Sequence, residues 1–326
     1  MTTYSPQRPL WFAAALALFV GTLALSACQT VPTPVSPPPP QVAPTTEPPP
    51  PAPPPRALRV GLALGGGAAR GFAHVGVIKS LEAQGVRADI IVGTSAGAVV
   101  GALYAGGFDG FELHRLALAM EESTVADWSI PSRGVLKGEA LQSYINTALK
   151  QRPIEQLNRK FAAVATDLQS GEMIVFERGN TGMAVRASSS VPAVFQPVAI
   201  NGHEYVDGGL VSPVPVQVAR RLGADVVIAV DISNKPAYGT VSGTFDVLMQ
   251  TVAIMTQSIA LHETASADVV IRPALAATKA TDFAGRNLAI LEGEKAAAGQ
   301  ARAIALALER ARAALATEAG NGRKER

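Results

Sequence analysis

ADIIVGTSAGAVVGALYAGG, Ala88 to Gly107, is the stretch on which the fold turns. An apolar run meets an abrupt small-residue turn, Gly93-Thr94-Ser95-Ala96-Gly97, and a second apolar run follows. The short run ADIIV predicts a buried strand, and the longer run of small apolar residues from Ala96 to Tyr104 predicts a buried helix. A strand, a sharp corner and a helix, with a serine on the corner between Gly93 and Gly97, form the setting of a nucleophile elbow. The same five residues would also make a tight turn without chemistry, so the surrounding sequence has to decide.

Upstream, ALRVGLAL (57–64) reads as a strand that ends in GGGAARG (65–71). Phe72, Val75, Ile78 and Leu81 then recur at helical spacing up to Gln84, before Gly85. Strand, glycine loop, helix, strand, turn, helix is the opening of a parallel sheet with helices on its faces. Downstream, Asp109 stands three residues before Glu112, a capping-box pattern that predicts another helix. A further helix is expected over 138–151, and two strands joined near Ser170 and Gly171. Next come a helix from about Thr181 to Ser189 and a hairpin at Asn201-Gly202. VPVQVARRLGADVVIAVDIS repeats the helix-glycine-strand theme, with its strand near Asp225 to Asp231. A helix from Phe245 to about Ala265, a strand in DVVIRP, and a terminal helix or helix pair from Leu288 to about Ala316 complete one α/β domain over 57–320. The charged tail is 321–326.

The first 56 residues are of another kind. Arg8 is the only charge before the apolar run Leu10 to Ala27, which ends in LSAC at Cys28. A short positive segment, an apolar segment and small residues before a cysteine resemble a bacterial lipoprotein signal peptide over 1–27. That resemblance implies cleavage before Cys28, a diacylglycerol on its sulfur and attachment to a membrane outside the cytoplasm. An uncleaved anchor is the alternative, because 18 apolar residues stand at the lower limit for spanning a bilayer. Gln29, rather than aspartate, follows Cys28, which in a Gram-negative cell resembles cargo for the outer membrane, facing the periplasm. The linker to residue 56 carries 14 prolines between Gln29 and Pro55. It reads as a polyproline II stalk of about 80 Å.

Cys28 is the chain's one cysteine, so no intramolecular disulfide is possible. Beyond residue 27 the chain carries 27 Lys plus Arg against 26 Asp plus Glu. That balance shows no footprint for nucleic acid or anionic lipid, and no cluster has metal-ligand spacing.

Gly65, Gly66, Gly67, Ala68 and Arg70 lie between a strand and a helix, where backbone N–H groups can face an anion. The loop lacks the Lys-Ser/Thr ending of a P-loop. Arg70 either holds the loop or approaches a substrate phosphate. A serine needs a base, and Asp207 in YVDGGLV, with Gly208 and Gly209 behind it, ends a predicted strand. The order Ser95, Asp207, His262 would satisfy a triad, but His262 falls inside a predicted amphipathic helix.

Taken together, GLALGGGAARGFAHVGVIKSLEAQGV, GTSAG, RASSSVPAVFQPV and VDGG resemble the bacterial patatin-like phospholipases, the group related to neuropathy target esterase, across about 58–231. The resemblance implies a three-layer α/β/α sandwich with a mainly parallel central sheet and a serine-aspartate dyad without histidine or cofactor. Ser95 would be the nucleophile, Asp207 the base, and the loop before Arg70 the oxyanion hole. The implied substrate is a phospholipid or lysophospholipid ester. Ala68 departs from the pattern, since many relatives carry glycine there, and alanine disfavours positive φ. The alternatives are a triad esterase using His262 and a lipid-binding scaffold lipoprotein without turnover.

Overall fold

The computed structural model describes residues 56–121, 127, 135–233, 243–275 and 283–321. The expected signal peptide, Cys28, the proline stalk and residues 322–326 lie outside the described residues. The strands are β1 (Val60–Leu64), β2 (Ile90–Thr94), β3 (Lys160–Asp167), β4 (Met173–Phe176), β5 (Val198–Ile200), β6 (His203–Asp207), β7 (Val226–Val230) and β8 (Val269–Ile271). The helices are α1 (Phe72–Ala83), α2 (Ala96–Ala105), α3 (Gly110–Ala119), α4 (Glu139–Ala148), α5 (Thr181–Ser188), α6 (Val216–Arg221), α7 (Thr244–Thr264), α8 (Arg286–Gly299) and α9 (Ala301–Asn321).

One sheet runs in the order β5-β6-β3-β2-β1-β7-β8, with β4 also paired to β3. β3, β2, β1, β7 and β8 are mutually parallel, while β4 and β6 meet β3, and β5 meets β6, antiparallel. β1, β2 and β7 are buried along their whole length, as expected of parallel strands covered on both faces. Successive side chains enter opposite layers. Leu62, Leu64, Ile91, Ile228 and Val230 face a core shared with α1, α2, α8 and α9, through Val75, Ile78, Leu103, Ile290 and Ile304. Ala63, Ile90, Val92, Val227 and Ala229 face a second core with Val216 and Val218 of α6 and Ala260 of α7. This is the three-layer α/β/α sandwich.

Local signals act as read. Asp109 caps α3, its Oδ1 accepting from the Phe111 and Glu112 N–H groups at 2.9 and 2.8 Å, while Glu112 accepts from the Asp109 N–H at 2.9 Å. Asn201 and Gly202 take φ of 51° and 85°, the doubly left-handed pair of a tight hairpin. α4 ends at Ala148, short of the expected 151, because Lys150 and Gln151 turn left-handed with φ of 54° and 59°. The C-terminal helix is a pair, interrupted at Gln300.

Candidate active site

β1 lies between β2 and β7, so the strand order reverses at β1, and open α/β sheets hold ligands beyond the carboxyl ends of strands at such a point. The glycine loop leaves β1 at that end, and the Gly93–Gly97 turn leaves β2 beside it. Ser95 caps α2 with φ 55° and ψ −122°. For a residue bearing a Cβ this conformation costs about 1–3 kcal/mol, a cost that persists only where the surroundings enforce it. The enforcement is visible. The Ser95 N–H donates to Ser188 Oγ at 2.9 Å, its carbonyl accepts from Ala98 and Val99, and the Thr94 hydroxyl donates to the Ser212 carbonyl at 2.8 Å. The flanking glycines let α2 close onto β1: a Cβ on Gly97 would stand 2.1 Å from the Leu64 carbonyl oxygen, and one on Gly93 would stand 2.3 Å from that of Gly97.

Asp207 ends β6, and register across β3 brings it to Ser95. Thr94 of β2 pairs with Val164, and Asp207 of β6 pairs with Ala165, the next residue along the same strand. Gly208 permits the approach, since a Cβ there would lie 2.2 Å from the Val164 carbonyl oxygen. The Asp207 N–H donates to Ser190 O at 2.9 Å, its carbonyl accepts from Thr166 Oγ1 at 2.9 Å, and its Oδ1 accepts from the Gly209 N–H at 2.7 Å. Burial pushes its carboxyl up to about 6, against the opposing pull of the Ser95 hydroxyl and the Gly209 N–H. Its Oδ2 is buried and accepts no hydrogen bond among the described residues.

The glycine loop divides its donors. The Gly65 N–H goes to Val230 O and that of Gly66 to Pro213 O, both at 3.0 Å, and the Arg70 N–H goes to Gly67 O at 3.2 Å. Those three residues, expected to line an oxyanion hole, therefore use their backbone donors to hold the loop itself. The N–H groups of Gly67 and Ala68 are committed to no acceptor among the described residues. Ala68 takes φ 50°, so the methyl group sits in the left-handed region that glycine would enter freely. Arg70 is buried, and its Nε donates to Gly67 O at 3.3 Å. Carbonyl and following N–H point opposite ways across a trans peptide, so Arg70 sets the direction of the Ala68 N–H. Of the two roles read from sequence, this contact is the loop-holding one. Burial lowers its guanidinium, and Asp231 acts in the opposite sense.

His262 is not brought to the dyad: it is exposed on α7 and does not line the cavity around Ser95. His114 contacts Lys79 Nζ, and His203 contacts Asp167. His74 is fully buried, with Nε2 2.8 Å from Gly65 O, and burial pushes it down to about 4, which makes it a neutral donor bracing the loop. The residue beside His262, Glu263, turns inward and accepts from Ser212 Oγ and, at 2.8 Å, from the Val214 N–H. Its position in an apolar helix carried no signal of that. Among the described residues no group of three or more His, Cys, Asp or Glu is placed to hold a metal ion, and no helix is long and apolar enough to cross a membrane.

Ser95 and Ala68 open into a cavity of about 300 Å³. Its walls are apolar, including Val75, Val99, Leu103, Leu116, Leu141 and Phe195 from α1 to α4 and the segment after α5. Ser189 also lines it, with a buried hydroxyl that has no partner among the described residues. Such a space takes a hydrocarbon chain with one polar end at Ser95.

Residues 62–220 match the family model described as patatin-like phospholipase. An NTE family protein of Mycobacterium tuberculosis is 38% identical over 183 residues, 55% of this chain and 50% of that protein. Patatin-like phospholipase domain-containing protein 7 of Mus musculus is 36% identical over 184 residues, 54% of this chain and 14% of that protein. The chain thus spans about half the length of the mycobacterial relative it matches. The crystal structure of VipD from Legionella pneumophila superposes with a TM-score of 0.55 at 14% identity, covering 76% of this chain and 67% of that one, a likeness of fold.

Proposed function

We propose, because residues 62–220 match the patatin-like phospholipase family model, that the chain is a serine hydrolase releasing fatty acid from a phospholipid or lysophospholipid. One observation carries this reading: a serine in a strained turn and a buried aspartate with an open acceptor oxygen meet at the end of an apolar cavity. The acyl chain occupies the cavity and places its ester carbonyl at Ser95. Ser95 Oγ attacks the carbonyl carbon while its proton passes to Asp207 Oδ2. The carbonyl oxygen becomes an oxyanion facing the Gly67 and Ala68 N–H groups, at the N-terminal end of α2. The ester C–O bond breaks, and the alcohol leaves with the proton from Asp207. Water, deprotonated by Asp207, then adds to the acyl carbonyl; the acyl–Oγ bond breaks, Ser95 Oγ takes the proton back from Asp207, and fatty acid departs. An aspartate held at about 6 suits this work, since it is largely ionised at pH 7 yet a stronger base than an ordinary carboxylate. Cys28 is proposed to carry the lipid that holds the chain at a membrane outside the cytoplasm; mass spectrometry of the mature N-terminus tests this.

The test of the activity is fatty-acid release from mixed phospholipid and lysophospholipid vesicles by the full chain. Ser95→Ala and Asp207→Asn are expected to abolish release, by at least about a thousandfold, and His262→Ala to keep it. Wild-type turnover in Asp207→Asn overturns the dyad. Loss in a folded His262→Ala restores the triad. A folded wild type that binds lipid without release, and whose Ser95 resists an organophosphonate, is a lipid-binding scaffold.

A further inference from the structure

Three parts of the site converge on one short segment, Ser212–Val214, and its backbone groups can be accounted for in full. The Ser212 N–H donates to Gly208 O at 2.8 Å, which ties the segment to the turn behind Asp207. The Ser212 carbonyl accepts from Thr94 Oγ1 at 2.8 Å, next to the nucleophile. Pro213 has no N–H, and its carbonyl accepts the Gly66 N–H at 3.0 Å, next to the Gly67 donor. The Val214 carbonyl accepts from the Val216 N–H at 2.7 Å. Two donors remain, the Ser212 hydroxyl and the Val214 N–H, and both go to Glu263, one to each carboxyl oxygen.

We propose that Glu263, on the last turn of α7, is a positioning residue that holds the nucleophile turn and the oxyanion loop in mutual register through Ser212–Val214. The inference rests on the reading of Ser95 as nucleophile, and Glu263 touches no reacting atom. The carboxyl sits in a place that is costly for a charge: burial pushes it up to about 7. An apolar side chain there would leave the Ser212 hydroxyl and the Val214 N–H as unpaired donors beside the site. Ser212 is almost completely buried, so water does not readily take over the bond. Glutamine, in contrast, can replace the carboxyl, since its carbonyl oxygen accepts from Val214 and its amide donates to Ser212 Oγ.

The test compares the full chain with Glu263→Ala, Glu263→Gln and Ser212→Ala. It reads kcat and KM on lysophosphatidylcholine and hydrogen exchange at the Gly66 amide. Glu263→Ala is expected to lower kcat by about tenfold or more with KM within about twofold, because the acyl cavity lies elsewhere and only the alignment is lost. Gly66 exchange should quicken in that variant relative to the amides of β7. Glu263→Gln should recover most of the loss. Should Glu263→Ala not fold, Ser212→Ala, which removes only one of the two bonds, is expected to shift kcat and Gly66 exchange in the same direction by less. Wild-type kcat and Gly66 exchange in a folded Glu263→Ala or Ser212→Ala overturn the proposal, as does a glutamine variant no better than alanine. If the wild type releases no fatty acid, the hydrolase reading fails by itself, and Gly66 exchange still decides what Glu263 holds.

Discussion

Replacing Ser95 by glycine should make the protein more stable than replacing it by alanine. Both substitutions remove the hydroxyl and its action on Asp207, so their difference isolates the backbone. At φ 55° and ψ −122° a residue with a Cβ carries strain of about 1–3 kcal/mol, which alanine keeps and glycine loses. Glycine gives back about 0.4–1 kcal/mol through the greater freedom of its unfolded chain. At mid-range values the net expectation is Ser95→Gly above Ser95→Ala by about 1.3 kcal/mol, with extremes of about 0 and about 2.6 kcal/mol. With a urea dependence of about 3 kcal/mol per molar, the midpoint should rise by about 0.4 M, and by no more than about 0.9 M, at unchanged slope. Equilibrium urea unfolding at pH 7, followed by far-UV circular dichroism, measures this directly. A glycine midpoint equal to or below that of alanine, with equal slopes, would refute the view that the fold forces Ser95 into a strained corner. The physical ground for reading it as a poised nucleophile would go with it.

Two further expectations concern pH. With Asp207 as the proposed base, which must be ionised in the free protein, kcat/KM should climb with rising pH through a limb centred near the carboxyl's value of about 6. A rate profile on a soluble monoacyl ester checks it, and a limb below pH 5 contradicts the burial argument. His74 is neutral when folded, at about 4 against an ordinary 6.5, so its stabilising contribution is complete above pH 6.5 and is lost as pH falls towards 4. The loss amounts to about 3 kcal/mol. His74→Gln, which retains a donor for Gly65 O, should flatten that part of the stability profile between pH 7 and 4.5, and an unchanged slope would show that His74 is not the group being protonated.

The α/β class was legible because its signals are local: apolar runs of strand or helix length, punctuated by glycine and by the Asp109–Glu112 capping box. Ser95 and Asp207 stood out for the same reason, each at the end of a strand-like run beside glycine. What escaped was set by partners far along the chain. The Gly65 and Gly66 amides looked as available as those of Gly67 and Ala68, and only the carbonyls of Val230 and Pro213 distinguish them. His262 and Glu263 are adjacent polar residues on one helix, and the period of that helix does not say which of them turns inward. His74 reads as one polar residue in an apolar helix until Gly65 O is seen beside it.

The placement of the proposed dyad follows from β3 more than from either of the loops that carry Ser95 and Asp207. The nucleophile turn begins beyond Thr94, paired with Val164, and the base stands opposite Ala165. A single strand therefore sets the separation of two side chains that the sequence keeps far apart. Neighbouring strands are held about 4.8 Å apart by their ladder, a tolerance that side-chain packing alone does not supply. Ser188 reinforces the same point, donating to the Val164 carbonyl at 2.5 Å while accepting the Ser95 N–H. That second bond uses the donor of the nucleophile itself. In the proposed mechanism the oxyanion is then met from the other side, by Gly67 and Ala68, and for that reason the orientation of the glycine loop, braced by Arg70, His74 and Pro213, matters as much as the proposed dyad.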